Sequence, residues 1–451
     1  MITTTNPFTS KKIKTYETLT SSQIETAIVN GHFTHLNWKK TSFAERSEKM
    51  IVLSEVLERN KKKYAKTITQ EMGKPIAQAE AEIEKCSWVC KYYAENASGF
   101  LAEEVIKTDA EKSYVRFEPL GLLLAVMPWN YPFWQVFRFA VPALMAGNTA
   151  LLKHASSVMG SAQHIEEAFL EAEFPLYSFQ NLIVKSDQVE TIIAHDYVKA
   201  VTLTGSKPAG AAVASFAAKH IKKAVLELGG SNALIVTKNA DVDRAVEVAV
   251  DARFQNTGQS CIAAKRLLLQ QEIAKDFTDK FLQATKNLKS GDPMKPETYI
   301  GVMARKDLAI ELEEQLQESL KMGAELLVGG KRNEAYFEPT IVKGATMEMP
   351  IFKEETFGPV IGIQTFEHLS EAIEITNASD FGLGVTLFSQ DENEIKNAIP
   401  QFEDGAVFIN EKVKSDPRLP FGGTKISGYG RELSYFGIRE FVNVKTVYHH
   451  S

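Results

Sequence analysis

From about residue 120 onward, short apolar runs alternate with longer segments whose apolar positions recur every three or four residues. Leu122-Leu123-Leu124-Ala125-Val126-Met127 is continuous and uncharged, as a strand buried on both faces of a parallel sheet must be. Further strands are predicted at Thr149–Lys153, Asn181–Val184, Ala200–Thr204 and Ala224–Leu228, with helices between them such as Ala162–Ala172 and Pro208–His220. A second series starts at Ala233–Val236 and continues with strands at Arg266–Leu269, Gly362–Thr365, Val385–Phe388 and Ala406–Ile409. Its helices are Asp243–Phe254, Ile273–Leu288 and Asp307–Met322. Strand and helix in alternation build doubly wound parallel sheets, so the pattern predicts an α/β protein of two such units that meet near Gly229-Gly230.

The chain before residue 110 carries the helical period instead. Ser22 with Glu25, and Ser42 with Glu45, read as capping boxes, and Gly73-Lys74-Pro75 as a helix stop. An amphipathic helix is expected from Ile76 to Ala102. Cys86 and Cys90 lie one turn apart on it and read as buried packing residues rather than a redox pair. Ser113–Glu118 and Phe441–Tyr448 alternate polar and apolar, as half-buried strands of an exposed arm would, and the second has the character of a strand that pairs with another subunit's sheet edge.

The length of 451 residues suggests about three units of ~150. A hydrophobic content of 44% with 24% charged residues is that of a water-soluble globular chain. The net charge of −6 gives no electrostatic case for nucleic acid or a membrane surface. Three cysteines make no disulfide framework, which points to a reducing compartment, the cytoplasm. Neither a signal-like N-terminus nor a membrane-spanning run is expected.

The chemistry concentrates in a few loops. Phe254-Gln255-Asn256-Thr257-Gly258-Gln259-Ser260-Cys261 surrounds one cysteine with small and polar residues, leaving room for a substrate. A thiol serves as a nucleophile when it is partly ionised and reachable. Glu227 ends a strand in Leu226-Glu227-Leu228-Gly229-Gly230, where open α/β sheets bind ligands and where desolvation would raise a carboxylate toward a useful base. Asn130, between two prolines in Met127-Pro128-Trp129-Asn130-Tyr131-Pro132, offers an amide donor of the kind that holds an oxyanion. Gly205 and Ser206 form a strand–turn–helix junction suited to a phosphate. There is no Gly-x-Gly-x-x-Gly fingerprint or phosphate loop, and no metal site is expected.

Taken in order, Pro-Trp-Asn-Tyr-Pro, Thr-Gly-Ser, Glu-Leu-Gly-Gly, Gly-Gln-Ser-Cys, Glu-Glu-Thr-Phe-Gly-Pro and Pro420-Phe421-Gly422-Gly423 resemble the aldehyde dehydrogenase superfamily over nearly the whole chain. The resemblance implies a Rossmann-like cofactor domain (residues 1–100 and 120–229), a catalytic domain (230–427) and a small β oligomerisation arm (101–119 and 428–451). It implies Cys261 as nucleophile, Glu227 as general base, and the Asn130 amide with the Cys261 backbone N–H as oxyanion donors. Lys153 then meets the cofactor ribose, Gly205 and Ser206 the pyrophosphate, and Glu355 the nicotinamide ribose, with Phe357 and Trp129 nearby. The family commonly has Pro-Ala-Glu after that lysine, but here the chain reads His154-Ala155-Ser156-Ser157. A carboxylate would repel a 2′-phosphate and Ser156 would accept one, so NADP is expected in preference to NAD.

The length, Lys-His-Ala-Ser and Lys414-Ser415-Asp416-Pro417-Arg418 resemble the short bacterial succinate-semialdehyde dehydrogenases. Arg138, eight residues after Asn130, is expected on a tunnel wall, where it either pairs with a substrate carboxylate, aided by Ser260 and Ser415, or forms a structural ion pair. The expected reaction is oxidation of succinic semialdehyde through a cysteine thioester, in a homodimer or a tetramer built from dimers. The alternatives are a broad-specificity aliphatic aldehyde dehydrogenase, a CoA-acylating relative, and a non-catalytic binding protein of the same fold.

Overall fold

The computed structural model describes residues 1–450. An N-terminal hairpin of Ile2–Thr5 and Lys12–Tyr16, which the pattern did not announce, precedes three long helices, Ser21–Trp38, Phe43–Met72 and Ile76–Phe100. Ser42 and Glu45 cap the second helix as expected, and Gly73 ends it with φ +75°. The first helix is capped by Thr20 with Gln23, not Ser22 with Glu25. Thr20 is extended and its hydroxyl accepts the Gln23 N–H at 3.3 Å, whereas Ser22 already lies inside the helix. After Phe100 the chain leaves the helix and forms the short strand Glu104–Val105.

Five parallel strands make the first sheet, in the spatial order Phe179–Asn181, Thr149–His154, Leu122–Met127, Val198–Thr204 and Lys223–Glu227. The chain winds one way from Leu122–Met127, then crosses to lay Val198–Thr204 on its other side. That reversal parts the loops leaving the two central strands and opens a crevice at their carboxyl ends. The loops there are Pro128–Asn130 and Gly205–Ser206. Gly428–Tyr429 returns from far along the chain to close this sheet antiparallel to Lys223–Glu227. The strand expected at Asn181–Val184 lies at Phe179–Asn181 instead, because the chain turns at Val184, whose N–H bonds the Leu182 carbonyl at 2.9 Å.

Gly229–Ser231 leads directly from the first sheet into a second, of seven strands. Its order is Glu325–Val328, Thr340–Lys343, Val360–Phe366, Ala264–Gln270, Asn232–Val236, Val385–Phe388 and Val407–Ile409, with only Glu325–Val328 antiparallel. The carboxyl edge of the first sheet therefore faces the amino edge of the second. The loop carrying Cys261 enters Ala264–Gln270 at that edge.

Helix Trp134–Met145 leaves the Asn130 loop and is buried at every position, packed against Ile76–Phe100 and the first sheet. A third, antiparallel sheet pairs Glu104–Val105, Lys112–Pro119 and Val442–His449. Val442–His449 takes its own chain's Lys112–Pro119 on one side and leaves its other edge open, with Val444 and Tyr448 exposed. Among the described residues no helix is long and apolar enough to cross a membrane.

Candidate active site

The loop after Leu122–Met127 is fixed from three sides. Glu82 accepts the Phe133 and Trp134 N–H groups at 2.8 and 3.0 Å, supplying the cap that Phe133 itself cannot give to helix Trp134–Met145. Lys74 neutralises Glu82 in a fully buried ion pair and lies 3.7 Å from the centre of the Tyr131 ring. His154 accepts the Ala155 N–H on Nδ1 at 2.9 Å, so its proton sits on Nε2 and goes to the Pro132 carbonyl, 2.8 Å away. Burial pushes this imidazole down to about 4, which keeps it neutral.

The Cys261 loop is held by a backbone that few sequences tolerate. Asn256, Thr257 and Gly258 have φ of +55°, +54° and +71° in succession. Left-handed backbone suits Asn and Gly and strains the β-branched Thr257, a cost of order 1–3 kcal/mol. The surroundings hold it there. Asn256 Nδ2 donates to the Asn130 carbonyl at 2.9 Å and the Gln259 carbonyl at 3.0 Å, tying the two loops together. Thr257 Oγ1 accepts the Gly301 N–H at 3.1 Å, and Gln259 Oε1 the Ala304 N–H at 2.8 Å. A Cβ on Gly258 would lie 2.4 Å from the Gly358 oxygen.

Lys265 completes the support. Its fully buried ammonium donates to the carbonyls of Ser260 and Cys261, each at 2.9 Å, and to that of Gly230, and it forms an ion pair with Glu355 Oε1 at 3.1 Å. Glu355 also accepts the Gly230 N–H at 3.0 Å. One buried cation thus binds the cysteine loop, the link between the sheets and the acid expected at the nicotinamide ribose.

Two cavities meet at the thiol. The larger, about 510 Å³, is lined by Trp129, Asn130, Thr204, Gly205, Ser206, Gly229, Cys261, Glu355 and Phe357. The smaller, about 270 Å³, is lined by Lys85, Tyr131, Trp134, Arg138, Ser260, Cys261, Ser415 and Phe421 among others. Cys261 and Gln135 are common to both. Trp129 and Phe357 meet edge to face at 5.6 Å. Ser206 precedes helix Lys207–Lys219 and makes no side-chain cap, so the first N–H groups of that helix are free to receive an anion from the larger cavity.

Lys153 and Ser156 are not part of that wall. Lys153 is half-buried at the carboxyl end of the neighbouring strand Thr149–His154, its ammonium pushed down by burial, and Ser156 is exposed at the start of a short turn. Glu227 lines neither cavity. It is buried with no partner on either oxygen, and desolvation, reinforced by Glu432, holds it well above the usual carboxylate range. Its space is provided by Gly422, where a Cβ would come within 2.9 Å of Glu227 Oε1. Arg138 faces the smaller cavity, yet it is in a buried ion pair with Glu432 and stacks 4.6 Å over Phe421. The structural ion pair, one of the two expectations for Arg138, is thus present. Burial pushes the Cys261 thiol up to about 11, with Arg138 and Lys265 opposing and Glu355 and Glu227 adding to the rise. Asn130 is buried, with Nδ2 donating to the Gln259 carbonyl at 3.3 Å and Oδ1 unpartnered.

Sequence reasoning overlooked Asn256, Glu82, Lys85, Lys265 and Glu432. Lys265 alone left a local trace, a lysine heading the apolar run Leu267-Leu268-Leu269. The others act across long sequence separations.

Residues 1–447 match the model of the aldehyde dehydrogenase family. The chain is 44% identical over 450 residues, 99% of each partner, to a probable succinate-semialdehyde dehydrogenase [NADP(+)] of Synechocystis sp.. It is equally identical, over 453 residues and 99% of each, to succinate-semialdehyde dehydrogenase [NADP(+)] 1 of Mycobacterium tuberculosis. Among solved structures it is similar to succinic semialdehyde dehydrogenase from Streptococcus pyogenes in complex with NADP+, with a TM-score of 0.97, 36% identity and full coverage of both chains. With this match over almost its full length, the chain belongs to the aldehyde dehydrogenase family.

Proposed function

We propose that the protein oxidises succinic semialdehyde to succinate with NADP, through a thioester on Cys261. The observation that carries the reading is the position of Cys261 between two cavities, one walled by a strand–turn–helix phosphate junction and Glu355, the other by polar and cationic side chains. The larger cavity fits a dinucleotide. It lies at the crevice where the winding of the first sheet reverses, with the free helix N-terminus at Ser206 for the pyrophosphate and Glu355 for a ribose. Lys153 and Ser156 lie one strand over, and Ser156 stands where the family commonly has a glutamate, which favours a 2′-phosphorylated ribose. The relatives named above carry NADP in their names.

In this reading the Cys261 thiolate adds to the aldehyde carbon from the smaller cavity. The oxyanion receives hydrogen bonds from Asn130 Nδ2 and the Cys261 N–H, worth about 3–4 kcal/mol per good donor. A nicotinamide bound in the larger cavity supplies the hydride acceptor. Glu227, desolvated and raised, takes a proton from the water that cleaves the Cys261 thioester, releasing the acid. Arg138, Ser260 and Ser415 line the space left for the rest of the substrate. We further propose that the chain assembles through the open edge of Val442–His449. With Cys86, Cys90 and Cys261 all free, a reducing compartment such as the cytoplasm suits it.

Steady-state kinetics on succinic semialdehyde, butanal and longer aliphatic aldehydes with both cofactors tests the reading. It predicts the highest kcat/KM for succinic semialdehyde with NADP. A large advantage for NAD, or for an uncharged aldehyde, would overturn it.

A further inference from the structure

Four cationic side chains line the smaller cavity, and three are already matched. Arg138 pairs with Glu432, Lys412 with Asp251, and Lys414 with Glu411 at 3.2 Å. The cavity's acid, Glu82, is neutralised by Lys74. Lys85 alone has no ion-pair partner among the described residues. Its ammonium donates to Ser415 Oγ at 2.8 Å and sits 4.2 Å from the centre of the Trp134 ring.

The hydrogen bonds around Ser415 sharpen the point. Its Oγ accepts from Lys85 and also from Trp134 Nε1, at 2.9 Å. Both lone pairs of the hydroxyl are then used, and its own O–H must donate elsewhere. The ammonium has three donors and spends one on Ser415. Lys85 and Ser415 together therefore present several donors, a net positive charge and no acceptor. That set is complementary to an anionic oxygen group such as a carboxylate.

We infer that Lys85, with the Ser415 hydroxyl, anchors the distal carboxylate of the aldehyde and is the residue that selects a semialdehyde acid over an uncharged aldehyde. The inference rests on the substrate reading given above and assigns its charge recognition to a residue other than Arg138. Arg138, its charge shared with Glu432, forms part of the wall. Lys85 lies on helix Ile76–Phe100, one turn after the Glu82 that caps the helix leaving the Asn130 loop, so the anchor and the oxyanion donor are tied through one element.

A pH signature follows. Burial, with Arg138 and Lys412 adding and Cys86 and Asp416 opposing, pushes the Lys85 ammonium down to about 7. The other charged groups on the cavity wall, Glu82 and Lys414, are paired. A carboxylate bound to Lys85 favours its protonated form, so binding weakens as pH rises above about 7.

The test is kinetics with NADP on succinic semialdehyde and on butanal, for the wild type, Lys85→Met and Lys85→Arg, with melting temperatures alongside. Lys85→Met should raise KM for the semialdehyde by about tenfold to a hundredfold, the loss of a charged hydrogen bond, with kcat changed far less. The ratio of kcat/KM between the two aldehydes should fall by the same factor, and Lys85→Arg should retain most of it. In the wild type, which needs no variant to fold, KM for the semialdehyde should climb above about pH 7 while KM for butanal does not follow. An equal loss on both aldehydes, or a preference that survives Lys85→Met, overturns the assignment to Lys85 and leaves the substrate reading standing. A wild type with no preference for the semialdehyde overturns both.

Discussion

Removing the Asn130 side chain separates chemistry from folding unusually well. In Asn130→Ala the backbone of the loop keeps its anchors, since Asn256 holds the Asn130 carbonyl and Glu82 holds the Phe133 and Trp134 N–H groups, none through the deleted atoms. The side chain itself makes one long hydrogen bond, 3.3 Å to the Gln259 carbonyl, and its Oδ1 is buried without a partner. The folding cost is therefore about 0–1 kcal/mol, set by one weak bond lost and one unsatisfied acceptor removed. In the proposed reaction the same amide stabilises the charged thiohemiacetal oxygen, and losing one such donor costs about 3–4 kcal/mol, or ~10²–10³ in kcat. Asn130→Asp, with the same shape but lone pairs aimed at the oxyanion, should lose more. The assay is kcat at saturating aldehyde and cofactor, with thermal melting on the same samples. A variant within about threefold of the wild-type kcat, where the donor is worth ~10²–10³, would rule out Asn130 as an oxyanion donor, as would an activity loss matched by unfolding.

Other consequences are equally direct. With its thiol near 11, Cys261 in the cofactor-free chain should be alkylated by iodoacetamide at a rate rising about tenfold per pH unit from neutrality toward that value; a plateau near pH 8 would contradict the assigned environment. Cys86 and Cys90, fully buried and pushed upward, should remain unmodified in the folded chain, so peptide mapping finds one labelled thiol. Gly258→Ala must place a Cβ 2.4 Å from the Gly358 oxygen at a positive φ, and calorimetry should show the melting temperature lowered by about 5 °C or more. Lys265→Met leaves three carbonyls and Glu355 without their cation, and should slow alkylation of Cys261 and raise KM for NADP together; a change in neither would show that the cation positions nothing.

The sequence pattern carried the two-sheet architecture because parallel strands buried on both faces must be continuous and apolar, as Leu122–Met127 is. The separation near Gly229-Gly230 was legible from the short apolar stretches on either side of it, Ala224–Leu226 and Ala233–Val236. The edges were harder to read. Ile2–Thr5, Lys12–Tyr16 and Glu325–Val328 are only four or five residues long, too short for a clear alternation to show. Cys261, Asn130 and Gly205-Ser206 stood out as local motifs, and the structure brings them to one cavity wall. The supporting atoms did not stand out. Glu82 caps a helix 51 residues away, and Asn256 grips a carbonyl 126 residues away, distances at which no local pattern survives. For Arg138 the sequence left a substrate carboxylate and a structural ion pair open, and Glu432, the partner in the ion pair, could be found only in three dimensions.

In the proposed reaction Cys261 carries the substrate as an acyl group. With Glu227 as the proposed base, Glu227→Gln should still form that thioester but hydrolyse it slowly. Rapid mixing of this variant with NADP and succinic semialdehyde, followed by acid quench and peptide mass spectrometry, should find one succinyl group per chain, on Cys261, after a burst of reduced cofactor. A burst with the acyl group on any other residue, or turnover with no covalent species and undiminished hydrolysis, would contradict it.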